Sequence, residues 1–152
     1  MTLNHLAWLI NLIGMSLDQI KSESDEGFEH RLKIQKAVFL LKHFGVKPFT
    51  SYDFNLYLHG PYSPKLAEDY YNISETTKPA EVRLDDDKKK LLYWFIDHDC
   101  RWLEVATSII SLNERYGKLS NDEIYSILRV SKSWLEKAEF EKIKRELEEH
   151  GL

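Results

Sequence analysis

Over most of the chain, apolar residues recur at three- and four-residue intervals, the spacing of one helical face. Leu3, Leu6, Ile10, Ile13 and Leu17 predict a first helix running to about Lys21, with Thr2 as its N-cap. The run SESDEG ends it. A second helix is expected over 29–44, with Leu32, Ile34, Ala37, Val38, Leu40, Leu41 and Phe44 as its apolar stripe and Gly45 as the left-handed residue that closes it. Three aspartates, Asp85 to Asp87, open a later helix, where their charge complements the positive helix start. The following LLYWFI is apolar all round and is expected to be central and buried. That helix either runs on to Tyr116 or breaks near 97–99. Ser120 with Glu123, and Ser133 with Glu136, have capping-box spacing and predict the last two helices. The final one sets Trp134, Leu135, Ala138, Ile143 and Leu147 on one side, spaces Glu141 and Arg145 as an ion pair, and ends at Gly151.

Between these helical stretches the period changes. All four prolines (48, 61, 64 and 79) fall in one span, and proline interrupts helix interiors. Residues 52–58 alternate apolar with polar and predict a strand, with 81–84 as a hairpin partner. His59, Gly60 and Pro61 then turn the chain. Ser63 caps a helix over 63–72, and Pro64 takes its first position, where a missing N–H costs nothing. The expected fold is mainly α: a single helical domain, 1–152, with a small inserted β-hairpin. Its core motif segment is 29–84, which can be laid out as a winged helix, and C-terminal helices occupy 85–150.

Composition narrows the function classes. The chain has 152 residues, 43% hydrophobic and 30% charged, an ordinary globular balance. The Glu- and Lys-rich, Gln-poor composition follows the bias of heat-stable proteins. A single cysteine, Cys100, excludes an internal disulfide and favours a reducing compartment, with the thiol expected to be buried and inert. The apolar N-terminal stretch lacks the basic residues that precede a secretion signal, and no run is long enough to span a bilayer, so a cytoplasmic protein is expected. The six histidines lack metal-ligand spacing, the glycines form no phosphate loop, and Ser63 has no nucleophile-elbow context. We therefore expect no catalytic residue, no metal and no cofactor. Charge is lopsided: residues 29–65 hold six Lys or Arg against two acids, whereas 66–87 hold seven acids against two bases.

The stretch YLHGPYSPKLAEDYY (57–71) carries polar aromatics that a turn does not need. With RLKIQKAVFLLKHFG before it, it resembles the YwgA-like uncharacterised prokaryotic proteins, through Lys33, Gln35, Lys36, His59, Gly60, Pro61, Tyr62 and Ser63. It is more distantly similar to the Panacea (SocA-like) antitoxin domain, which has a comparable helix and corner. The first resemblance implies no reaction; the second implies neutralisation of, or adaptor activity towards, a protein toxin. Tyr57, His59, Tyr62, Lys33 and Lys36 are the partner-binding candidates, and Gly60, Pro61, Ser63 and Pro64 the structural turn and cap. A protein-interaction module is expected, its partner a toxin-like protein or, in a homodimer, a second copy. The alternative is a DNA-binding regulator that uses the winged-helix layout, although helix 63–72 offers DNA more acid than base.

Overall fold

The computed structural model describes residues 2–152, with side chains from Leu3 onward, so the capping expected of Thr2 lies outside the described side chains. Among these residues are eight α-helices and one two-stranded antiparallel sheet, a mainly α fold with a small hairpin. The first helix is shorter than the sequence pattern suggests. α1 (Thr2–Leu12) stops before Gly14, which has φ 77°. α2 (Leu17–Lys21) then restarts from a reciprocal capping box between Ser16 and Gln19. The apolar period survives this break, which is why it reads as one helix.

α3 (Asp25–His43) begins four residues before the expected position 29, with Ser24 accepting from the Gly27 N–H. The acid-rich run that looked like a breaker is its first turn, where acids are favourable. Its start is clamped to α2. Arg31 donates through Nη1 to the carbonyls of Ile20 (2.7 Å) and Ser22 (2.6 Å). A Cβ on Gly27 would lie 1.9 Å from the Ser22 oxygen. Ile34, Ala37, Val38, Leu40 and Leu41 are fully buried, which makes α3 the central helix.

The β segment needs the largest correction. A short 3-10 turn (Phe49–Ser51) precedes β1 (Asn55–Tyr57), so the strand expected over 52–58 is only three residues long. Its partner is not 81–84 but β2 (Gly60–Tyr62), in the register Asn55↔Tyr62, Leu56↔Pro61 and Tyr57↔Gly60. Residues 81–84 form no strand, although Val82 and Leu84 are buried and Glu81 and Arg83 exposed. The residues just before this segment are tied to α1: Asn4 donates to the Lys78 carbonyl (2.8 Å) and accepts from the Ala80 N–H at its own carbonyl (2.9 Å). Alternating burial arises there without strand pairing, and the wing of a winged helix is not formed.

α4 (Pro64–Asn72) starts as expected, the Ser63 hydroxyl accepting from the Leu66 N–H at 3.2 Å. α5 (Asp86–Ile96), capped by Asp85, and α6 (Cys100–Tyr116), capped by Asp99, are separate, so the pattern breaks at 97–99. Of LLYWFI only Leu92 and Phe95 are buried, and Tyr93 is exposed. One face of α5 meets α3, and apolar residues on its other faces stay partly wet. α7 (Asn121–Ser131) has the Ser120–Glu123 box. α8 (Lys137–Glu149) takes Glu136 as its cap without a side-chain bond; the Ser133 box does not form because Lys132 and Leu135 close a turn there. Phe140, Ile143 and Leu147 face inward, whereas Trp134 and Ala138 stay exposed. The i,i+4 ion pair on α8 is Lys144–Glu148 at 3.3 Å rather than Glu141–Arg145. No helix among the described residues is long and apolar enough to cross a membrane.

Candidate functional site: a hairpin-walled aromatic cleft

The corner at 57–63 is the hairpin itself. Leu58 and His59 keep negative φ, which excludes the primed turns usual in tight hairpins, and Gly60 completes the reversal at φ 88°. Space also demands glycine: a Cβ there would sit 3.1 Å from Lys36 Nζ, 3.1 Å from Ser108 Oγ and 3.2 Å from the Glu104 carbonyl oxygen.

Two side chains of α3 hold the strand that follows. The Gln35 amide donates to the Ser63 carbonyl (3.0 Å) and accepts from the Ser63 N–H (2.9 Å), pairing with that backbone as a neighbouring strand would. Lys36 Nζ donates to the Pro61 carbonyl at 2.8 Å. The helix motif and the corner motif, read separately in the sequence, are thus one buried joint.

A second set of contacts secures the tip. Lys132 Nζ donates to the Leu58 carbonyl (2.7 Å) and lies 3.7 Å from Glu104 Oε2. His59 Nδ1 bonds Glu104 Oε1. Glu104, largely buried, therefore serves both the tip histidine and the buried lysine. Burial lowers the Lys36 ammonium to about 7; the Glu104 charge opposes this and the Lys132 charge adds to it. Burial likewise lowers Lys132, against the pull of Glu104.

The candidate residues separate accordingly. Lys36 is 1% exposed, so it supports the hairpin and cannot touch a partner. Lys33, three residues earlier, lies in another groove with His30, Tyr93 and Asp97. The two lysines therefore form no joint basic footprint. Pro61 and Ser63 are buried, and Pro64 is an exposed helix-starting residue. Tyr57 and Tyr62 do come together, edge to face with ring centroids 5.7 Å apart, and both are exposed. His59 is exposed at the tip and packs edge to face with Phe28, 5.3 Å away.

Phe28, Leu58, Tyr71 and Arg31 join this surface without having been expected. They and the two hairpin tyrosines surround a cleft of about 500 Å³ between α3, the hairpin and the end of α4. The Arg31 guanidinium lies 5.9 Å from the Tyr71 ring centre, and buried Tyr70 lies beneath. A signal for the α3 wall exists: 28, 31, 32, 35 and 36 follow i, i+3, i+4, i+7, i+8. Starting the helix at 29 hid it. Elsewhere, Cys100 is half-buried in the first turn of α6, and burial, aided by the Glu29 charge, pushes its thiol up. Among the described residues no group of three or more His, Cys, Asp or Glu converges as metal ligands.

The surface of α4 bears on the regulator alternative. Leu66, Ala67, Asp69 and Tyr70 are buried. Its one lysine, Lys65, is engaged by Asp69 (3.2 Å) and Glu68 (3.7 Å).

The chain is thus a helical domain whose hairpin forms one wall of an exposed aromatic cleft. No protein-family model matches it, and neither a curated protein nor a solved structure does.

Proposed function

We propose that this protein is a protein-interaction module, antitoxin- or adaptor-like and cytoplasmic, whose aromatic cleft receives a segment of a partner protein. The observation that carries this reading is the gathering of Phe28, Tyr57, Leu58, Tyr62 and Tyr71 on one cleft, each at least a third exposed. Contiguous exposed apolar surface is unfavourable in water, and a rigid concave one marks an interaction site. Tyrosine suits such a role because its ring packs while its hydroxyl stays wet. The joint beneath the cleft keeps the wall preformed, which lowers the ordering cost of binding. The more distant likeness of the helix and corner motifs to the Panacea antitoxin domain supports the same reading. DNA binding has less support, because Lys36 is buried, Lys65 is paired and the wing is missing.

A photo-crosslinking amino acid at Leu58, the exposed hairpin tip, tests the reading in the source cell. The expected result is a discrete protein adduct that maps to one segment of one partner and disappears in the Tyr57→Ser, Tyr62→Ser double variant. An adduct indifferent to that double variant, or no protein adduct, refutes it.

A further inference from the structure

We infer that the segment received by the cleft is acidic: apolar side chains seat between the tyrosines while a neighbouring carboxylate meets Arg31. This rests on the docking reading above and adds the chemistry of the partner. The chain carries 25 Asp and Glu and a net charge of −4, yet not one acid lines the cleft. The basic side chains there are Arg31 at the rim, Lys36 beneath, which is buried against the Pro61 carbonyl, and His59 at the hairpin tip; of these the Arg31 guanidinium is the partly exposed fixed charge. The nearby carboxylate, Glu104, is turned to His59 and Lys132, and Lys132 offsets its charge. The two acids of α4 are engaged elsewhere: Asp69 is buried against the Tyr52 hydroxyl (2.6 Å) and Lys65 (3.2 Å), and Glu68 pairs with Lys65 (3.7 Å).

An aromatic-walled cleft could also hold a cation against its ring faces. The permanently charged Arg31 guanidinium at the rim makes that unfavourable here. Single-stranded nucleic acid combines stacking with phosphate contacts, but it needs a groove of cations along the strand. This site offers one rim guanidinium, itself tied to the Ile20 and Ser22 carbonyls. An acidic protein segment needs only one or two charge contacts beside an apolar anchor, and complementary charge then sets partner choice.

The test uses three synthetic peptides with identical tryptophan and leucine positions, whose intervening residues are all glutamate, all glutamine or all lysine. A labelled oligo-dT is the fourth probe. Each is titrated into the full-length protein by amide NMR at low and high salt. The glutamate peptide is expected to bind about tenfold more tightly than the lysine peptide. Its shifts should map to Arg31, Tyr57 and Tyr62, and its advantage should shrink as salt screens the charges. Arg31→Met should abolish the glutamate-over-glutamine preference while apolar binding persists. Because Arg31 also braces α2, that variant can fail to fold; the salt titration of the unaltered protein then decides.

Equal affinity for all three peptides overturns the acidic partner but leaves docking intact. A preference for lysine, or tighter oligo-dT binding at the same residues, also overturns it. Silence of the cleft resonances with every probe overturns the docking reading itself.

Discussion

Lys36 offers the most direct test of the joint beneath the hairpin, because its ammonium is buried where only one carbonyl bonds it. In the unfolded chain this amine has the ordinary value of 10.5, and in the fold it falls to about 7. Between these values the unfolded chain holds a proton that the folded protein gives up. Stability therefore rises with pH across that window and is flat with respect to this group below about 7. The full span is worth on the order of 5 kcal/mol at about 1.4 kcal/mol per pH unit, and the interval from pH 7 to 9 about half of that. Lys132 is shifted in the same direction and adds to the slope. Cys100, raised by burial from 9.0, opposes only above about pH 9. Tyr52 and Tyr70, also raised by burial, oppose above about 10. The interval from 7 to 9 is thus the clean one. Urea denaturation followed by tryptophan fluorescence should give about 2 kcal/mol more stability at pH 9 than at pH 7. Lys36→Met keeps the stem volume, removes the titration and should flatten most of this slope. Equal wild-type stability at both pH values, or an unchanged slope in Lys36→Met, would show that the folded amine keeps its proton and would refute the reasoning.

Other substitutions probe the same joint and its support. Gln35→Leu leaves both the Ser63 N–H and C=O without their partner and should cost about 2–4 kcal/mol in thermal or urea unfolding. Gln35→Glu keeps the acceptor but turns a buried carboxylate oxygen on the Ser63 carbonyl, so it should cost at least as much. Gly60→Ala combines a positive φ with a crowded Cβ and should lower stability by about 2–3 kcal/mol, with loss of the Tyr57–Tyr62 contact in NMR spectra. Gly27→Ala would ordinarily gain about 1 kcal/mol of helix propensity. Here its methyl meets the Ser22 carbonyl, so net destabilisation is expected, with calorimetry as the check.

Features that depend on neighbours in sequence were legible, and those that depend on distant ones were not. Ser63 with Pro64, Asp85, and Ser120 with Glu123 each declare a helix start within four residues, and each start is found where expected. Strand pairing was misassigned because β2, the tripeptide Gly60-Pro61-Tyr62, contains a proline and is too short to show a period. Val82 and Leu84 show the period instead, because they are buried between exposed neighbours without pairing to a strand. Tyr57 and Tyr62 were recognisable as polar aromatics without a structural duty, and the structure exposes both. Lys36 read as part of a basic surface because lysine is rarely fully buried. Its burial rests on Pro61, 25 positions away, and on α6 further along the chain, which no local pattern encodes.

Gln35 and Lys36 hold backbone groups of Ser63 and Pro61, the part a third strand plays in larger sheets. An isolated two-stranded hairpin is marginal in water, so the corner is not a portable motif. Its smallest transplantable form includes the helix that completes it. The same arrangement leaves little sheet edge free for a wrong strand to join, only the three residues of β1. The corner can therefore display bare tyrosines to its surroundings without also displaying a template for aggregation.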